Sequence, residues 1–401
     1  MSTVILLGYR QPLAEAIERH GEVPFFVVEK DVPGLKEGQF CRVSDLEDVQ
    51  EVLRAVASSD LSDVKGVVTG HEQGVFSAAV LRDELRLPGC RDHARASVFR
   101  DKYQQKSKLA ADIPRARCRY VTSRTRFDEL SRALGLPFVV KPAAGFGSIR
   151  TSVVRSEDQF HELLLASEKH RFLGTLATQS SDVAFVAESF VSGRELHVDG
   201  IWQDGALQWA ALGRYREPLV QLAAGHVLVD YIASPEQSAE SLRRAVALAE
   251  KSLASLETPD CIFHMEAFEN EERTAFSECA MRLSGTQYPE LLEMTYGVNL
   301  FDAEVSISLG EKANVAPHEP EQLHGYIHLR QDSGSTLRKE DLEELFPFVQ
   351  LEYPARDDAP WRTGKIGLGV VAHSREDMLA KLLEDIASFN EEAVPVGSTS
   401  A

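Results

Sequence analysis

The chemistry of this chain starts at Phe138-Val139-Val140-Lys141-Pro142-Ala143-Ala144-Gly145-Phe146-Gly147-Ser148, where a lysine ends an apolar strand and a glycine-rich turn follows it. Glycines let successive N–H groups point into one concavity that takes an anion, and Lys141 adds a charge beside it. A Walker loop has the opposite order, glycines first and lysine last, and runs from strand into helix. Here Thr151-Ser152-Val153-Val154 reads as a returning strand, so the pattern is a hairpin lid for phosphates. Taken alone, it also fits an ordinary glycine-rich hairpin with a solvated lysine.

A second constellation lies downstream. Side chains alternate faces along a strand, so His264, Glu266 and Phe268 share one face of the run 262–268, and Phe276, Glu278 and Ala280 share one face of 275–280. Glu272 is the midpoint between Glu266 and Glu278, a register in which the two carboxylates pair across a hairpin. Two such carboxylates repel unless a cation or a shared proton lies between them. Magnesium suits the position, since it takes one or two carboxylates and fills its shell with water and nucleotide phosphates. Arg282 adds a fixed cation able to hold a carboxylate or a phosphoryl oxygen. Exposed strand glutamates and a salt-bridge arginine remain the plainer alternatives. A third element, Val186 to Glu195, offers an apolar strand edge for a flat ring, with Glu188 as acceptor for an exocyclic amine and Glu195 for ribose hydroxyls; a hairpin strand with outward acids fits it equally.

These residues need a framework. Strands at 3–7 and 24–28 around a helix at 12–20, then a strand at 66–69 and a helix at 72–86, give a small parallel α/β unit. A helix at 101–111, a strand at 119–122 and a helix at 126–134 lead into the Lys141 hairpin, with a helix at 157–166 behind it. Strand 183–190 turns at Ser192-Gly193 into a paired strand at 195–201, and Gln203-Asp204-Gly205 closes a hairpin onto 207–212. Helices at 238–255 and 289–296 flank the glutamate strands. Beyond residue 313 come strands at 323–329 and 367–372, a helix at 375–390 and a frayed tail at 394–401.

Composition narrows the class. With 43% hydrophobic and 26% charged residues the chain is a folded protein of two or three domains, and no apolar run reaches membrane-helix length. A net charge of −19 disfavours nucleic acid as a partner. The basic cluster of Lys102, Lys106, Lys108, Arg115, Arg117, Arg119, Arg124 and Arg126 reads mostly as a solvated face and turn. Five cysteines without C-x-x-C spacing argue against a disulfide framework or a thiolate metal site, and the short first apolar run suits a strand better than a signal peptide, so a cytoplasmic setting is expected.

Taken in order, Asp101-Lys102, the 141–148 loop, Glu188 to Glu195, Glu266, and Glu278 to Gly285 resemble the ATP-grasp superfamily of carboxylate–amine ligases, and in pattern the L-amino-acid, dipeptide-forming branch. The resemblance spans about residues 1–310. It implies an α/β and α+β chain: an N-terminal parallel-sheet (pre-ATP-grasp) domain at 1–93, an ATP-grasp domain at 94–312 with a small lid lobe at about 113–191, and a C-terminal subdomain at 313–401. It also implies the ligand roles. Lys102 and Lys141 hold phosphates beneath Gly145, Gly147 and Ser148; Glu188 and Val191 meet adenine; Glu195 binds ribose. Glu266 and Glu278 ligate one or two magnesium ions, a role manganese also fills, and Arg282 steadies the acyl phosphate or tetrahedral intermediate. Two positions depart from the pattern: Ala280 stands where an asparagine ligand is usual, an asparagine that dipeptide-forming ligases often lack, and Arg150 stands where a glycine commonly follows the loop serine.

The implied reaction is ATP-dependent amide formation between a small-molecule carboxylate and an amine, both amino acids, in the manner of dipeptide antibiotic or secondary-metabolite synthesis. Ligases of the superfamily are often homodimers. The segment 213–230, with Arg214, Arg216, Glu217 and His226, reads as an irregular loop over the substrates, and His226 as a residue that orients one of them. Two alternatives share the nucleotide site: a carboxylase or ligase using bicarbonate or formate, and an ATP-binding regulatory protein without turnover.

Overall fold

The computed structural model describes residues 2–122, 124–148, 150–169, 185–285, 287–330, 337–353 and 366–394. The first sheet comprises β1 (Thr3–Leu7), β2 (Val23–Val28), β3 (Phe40–Arg42) and β4 (Val64–Thr69), linked by α1 (Gln11–Arg19) and α2 (Val49–Ala57) and followed by α3 (Gly74–Glu84). Its strands are parallel in the order β3-β2-β1-β4. Ile5 and Leu7 face Val52, Ala78 and Leu81, while Val4 and Leu6 join Leu13 and Ile17 on the other side. A strand covered on both faces reads as a continuous apolar run, which is why β1 and β2 were legible.

After α4 (His93–Val98) and α5 (Lys102–Lys108) comes a small antiparallel lid sheet, built from β5 (Cys118–Val121), β6 (Phe138–Pro142), β7 (Ser152–Val154) and β8 (Phe185–Ser189) in the order β5-β8-β6-β7. Helices α6 (Phe127–Leu134) and α7 (Glu157–Lys169) accompany it, and Leu130, Leu134, Phe138 and Phe160 form its core.

The central sheet holds eight strands in the order β13-β12-β9-β10-β11-β14-β16-β15. Its members are β9 (Arg194–Gln203), β10 (Ala206–Tyr215), β11 (Val229–Ile232), β12 (Cys261–Glu269), β13 (Thr274–Ala280), β14 (Leu323–Arg330), β15 (Phe348–Glu352) and β16 (Ile366–His373). Helices α8 (Ala239–Ser255), α9 (Tyr288–Tyr296), α10 (Leu300–Ser308), α11 (Lys339–Leu345) and α12 (Glu376–Ala393) complete the chain. The three strands beyond residue 313 thus extend the central sheet. Leu300, Phe301, Val305 and Ile307 of α10 share a core with Val4, Leu6 and Val68 of the first sheet.

One sequence expectation fails here. Strands 183–190 and 195–201 do not pair: β8 lies in the lid sheet and β9 in the central one. The Phe190–Gly193 link passes between sheets instead of turning back. Gly193 has φ +149°, and a Cβ there would stand 2.4 Å from the Glu269 carbonyl oxygen, so the link runs hard against the end of β12. The 203–205 hairpin forms as expected, with Asp204 and Gly205 at φ +57° and +71°, as its tight turn demands. Val183, Ala184 and the tail from 395 lie outside the described residues.

Candidate active site

The cleft between the lid sheet and the central sheet collects the sequence candidates. Its wall includes Lys102, Lys141, Gly145, Ser148, Glu188, Val191, Glu195, Glu266 and Glu278, around about 1110 Å³ that includes the space at its mouth. That volume suits a nucleotide-sized ligand. A smaller adjoining pocket shares Lys102, Phe146, Glu266 and Glu278 and adds Gly147, Glu72, Arg100, His264 and Arg282.

Each side chain arrives by local rules. Asp101 caps α5, accepting from the N–H groups of Tyr103 and Gln104, and this fixes Lys102 in the first turn. Lys106, one turn on, shares that inward face. Lys141 ends β6 and rises from the lid sheet toward the central one. Glu266 and Glu278 are direct partners across β12 and β13, the register expected from the midpoint at Glu272. Below them the register shifts by one residue, between Glu266 and Ala267, so Ala267 faces Phe276 and Ser277 is left over in a bulge.

A cluster of opposite charges results. Glu278 lies 3.3 Å from the Lys102 ammonium and 3.2 Å from that of Lys141. Lys141 also reaches Glu188 at 3.3 Å, and Lys106 holds the other oxygen of Glu188 at 2.8 Å. Burial alone would push the Glu278 carboxyl up, but Lys102 and Lys141 outweigh it and hold the group well below the ordinary carboxylate range. Burial pulls Lys141 down, and Glu188 with Glu278 more than reverses this. Lys106 goes the other way, because burial exceeds the help it receives from Glu188. Glu195 is raised to about 8, first by burial and then by Glu266, although the Leu219 N–H donates to it at 2.7 Å.

Hard carboxylate oxygens facing each other beside two ammonium groups form a donor set that fits magnesium with a polyphosphate. In the loop above, Gly147, Ser148 and Arg150 have φ of +60°, +54° and +60°. The left-handed backbone at 150 gives a physical reason for the glycine that the resembled pattern prefers there.

One expectation needs correction, and another gains detail. Glu188 lines the cleft, and its carboxylate pairs with Lys106 and Lys141. Segment 213–230 is more ordered than an irregular loop: β10 runs to Tyr215, and a 3₁₀ turn spans Leu219–Ala224. Pro218, Val220 and Gln221 roof the cleft. Arg214 is buried against Glu269 and Glu376, Arg216 is held by Glu384 and Glu391, and His226 lies 3.7 Å from Glu391. None of these three is among the described residues that line either pocket.

Lys106, Glu72 and Arg100, which the sequence does not single out as site residues, join the charged network around the cleft. Lys106 lies in a run that reads as solvated, yet it is only 3% exposed, and its i,i+4 spacing from Lys102 is the signal that sets it apart. Lys108, Arg117, Arg119, Arg124 and Arg126 are exposed as expected. Glu72 binds the Arg282 guanidinium and lies 2.7 Å from Arg100, whose other edge reaches Glu47 at 2.7 Å. Nothing local marked Glu72, which precedes α3 by two residues.

Residues 134–290 match the ATP-grasp domain family. Among curated proteins, the L-arginine-specific L-amino acid ligase of Bacillus subtilis is 24% identical over 281 residues, which are 69% of this chain and 66% of that protein; the match therefore spans just under two thirds of that relative. Among solved structures, an L-amino acid ligase from Bacillus licheniformis superposes with a TM-score of 0.71 at 16% identity, over 96% of this chain and 98% of the other. A carboxyaminoimidazole ribonucleotide synthase from Aspergillus clavatus, solved with ATP, superposes with a TM-score of 0.72 at 16% identity, over 97% and 99%. Residues 134–290 thus match the ATP-grasp domain in sequence, and the fold is shared with these solved structures over nearly the whole chain; ATP-grasp enzymes use ATP and magnesium.

Proposed function

We propose that this protein is an ADP-forming ligase that joins the carboxylate of one amino acid to the amine of another. The observation that carries the reading is the facing pair Glu266 and Glu278, with Lys102 and Lys141 within 3.3 Å of Glu278 at the floor of the cleft. Identity to an L-amino acid ligase supports the choice of substrates.

In this reading, a carboxylate oxygen of the first substrate attacks the γ-phosphorus of ATP, and the bond to the β-phosphate oxygen breaks to release ADP. The nitrogen of the second substrate then attacks the acyl carbon of the acyl phosphate, expels inorganic phosphate and loses a proton to solvent. Lys102 and Lys141 exchange carboxylate partners for phosphate oxygens, while the 145–148 loop covers them. Glu266 and Glu278 would hold magnesium, which neutralises phosphate charge. Glu72 grips one edge of Arg282, whose side chain borders the adjoining pocket, where it would steady the reacting carboxyl group. Positioning and fixed charge do the catalysis, with no protein nucleophile. Such a reaction would serve dipeptide or secondary-metabolite synthesis in the cytoplasm.

ADP release measured over a panel of amino acid pairs tests this. Stimulation that requires two amino acids supports it. Stimulation by bicarbonate with no amino acid effect would replace it with the carboxylase reading, which the likeness to the ribonucleotide synthase favours. Nucleotide binding without turnover on any substrate would point to a regulatory protein.

A further inference from the structure

A row of polar side chains crosses the face of the central sheet behind the cleft, and nothing in the reaction above uses it. His197 and Asp199 alternate with Leu196 and Val198 on β9, so the polar pair shares one face. Register sets Asp199 opposite His264 and His197 opposite Glu266 on β12. Asp199 accepts from both rings, 2.5 Å from His197 Nδ1 and 3.1 Å from His264 Nδ1. His197 Nε2 reaches over β10 to Asp230 on β11, at 3.0 Å. It can do so only because residue 213 is glycine: a Cβ there would lie 2.1 Å from His197 Nε2. At the other end, His264 Nε2 stands 3.4 Å from Glu266 Oε1.

His197 and Asp199 are fully buried, Asp230 is 1% exposed and His264 7%, and the His197 ring packs against those of Tyr215, Tyr288 and His264. Burying two aspartates and two histidines costs several kcal/mol per ion before their mutual attraction, and an apolar strip would do the packing as well or better. The donor atoms of His197, Asp199 and His264 lie within 4.8 Å of one another, a spacing that could hold a metal. Yet three of the four ring nitrogens already face an aspartate at hydrogen-bond distance, and the fourth, His264 Nε2, points at Glu266.

We propose that His264 is the positioning residue of Glu266, and that Asp199, His197 and Asp230 lock His264, so that side chains from β11, β9 and β12 form one strut behind the metal-facing carboxylate. The inference rests on Glu266 being a metal ligand, as in the proposed function. Partners behind a ligand fix its orientation, and their loss typically lowers metal affinity by about 10- to 100-fold.

The test reads metal binding directly. Free Mn2+ is followed by electron paramagnetic resonance as it is titrated into the full chain with a non-hydrolysable ATP analogue. His264→Ala should weaken Mn2+ binding by about 10- to 100-fold, with metal-free nucleotide affinity changed less than about twofold. His264→Gln, which can place an amide N–H near the Nε2 position, should recover most of the loss. Asp199→Asn keeps shape while spoiling one of two paired acceptors and should weaken Mn2+ severalfold; it carries the test should the alanine variant not fold. Unchanged Mn2+ affinity in Asp199→Asn overturns the strut, as does unchanged affinity in His264→Ala or a glutamine variant no better than alanine. Wild-type protein that binds no Mn2+ beside the nucleotide overturns both the strut and Glu266 as a ligand. Normal Mn2+ binding without turnover on amino acid pairs counts against the ligase reading alone.

Discussion

Two regions of this molecule bury charge, and they do it differently. At the seam between lid and central sheets, Lys102, Lys106, Lys141, Glu188 and Glu278 meet through long, flexible stems that arise from four separate elements. Across the face of the central sheet, Asp230, His197, Asp199 and His264 meet through short side chains on strands hydrogen-bonded into one sheet. The first arrangement can change partners at the cost of a few rotamers. The second cannot move without moving strands. In the proposed function the soft charge cluster would receive a polyanion and release it, while the stiff row would keep Glu266 aligned.

The contrast can be broken at either region. The largest effect should come from Glu278→Gln, which removes the charge that two lysines share and one half of the carboxylate pair: ADP release should fall at least about 100-fold, the scale of losing one transition-state charge contact, while the far-ultraviolet circular dichroism spectrum stays unchanged. Normal turnover would take Glu278 out of the site. Lys141→Met keeps the stem but not the charge. Its nucleotide affinity by calorimetry should drop about 10- to 100-fold, since charged hydrogen bonds are worth roughly 1.5–3 kcal/mol, and an unchanged affinity would mean that Lys141 is only a structural partner of Glu188.

Gly213→Ala tests the stiff region. The methyl group has no room beside a ring held by two aspartates, so urea unfolding should show a loss of roughly 1–3 kcal/mol; a neutral result would show that the strip yields easily and would erase the distinction between the two regions. The smallest effect is expected at His226→Ala, where ADP release should remain within about twofold of wild type, the scale of a surface change. A large loss there would return His226 to the substrates.

Much of this was legible in the sequence, and the gaps have physical reasons. The Glu266–Glu278 register followed from hairpin symmetry alone, because a two-residue period leaves few choices once one face is polar. The bulge at Ser277 was not visible, since an extra residue in one strand leaves no compositional mark. Helix α10 was missed because residues such as Leu300, Phe301, Val305 and Ile307 are buried between two sheets along with most of their neighbours, which erases the amphipathic period. Strand β3 has only three residues. The hairpin wrongly drawn through Ser192-Gly193 shows the limit of local signals: a turn sequence states that the chain bends, and only tertiary packing decides whether it bends back or crosses to another sheet.

The bridge that Lys141 makes between Glu188 and Glu278 has a thermodynamic consequence. In the proposed function, bare nucleotide entering the cleft would have to pull that ammonium away from Glu278 and leave a carboxylate pair facing phosphates, and a divalent cation entering alone would have to compete with the same ammonium. Each ligand removes the obstacle to the other, so their binding should be mutually reinforcing, and because linkage is reciprocal the factor by which the cation tightens nucleotide must equal the factor by which nucleotide tightens the cation.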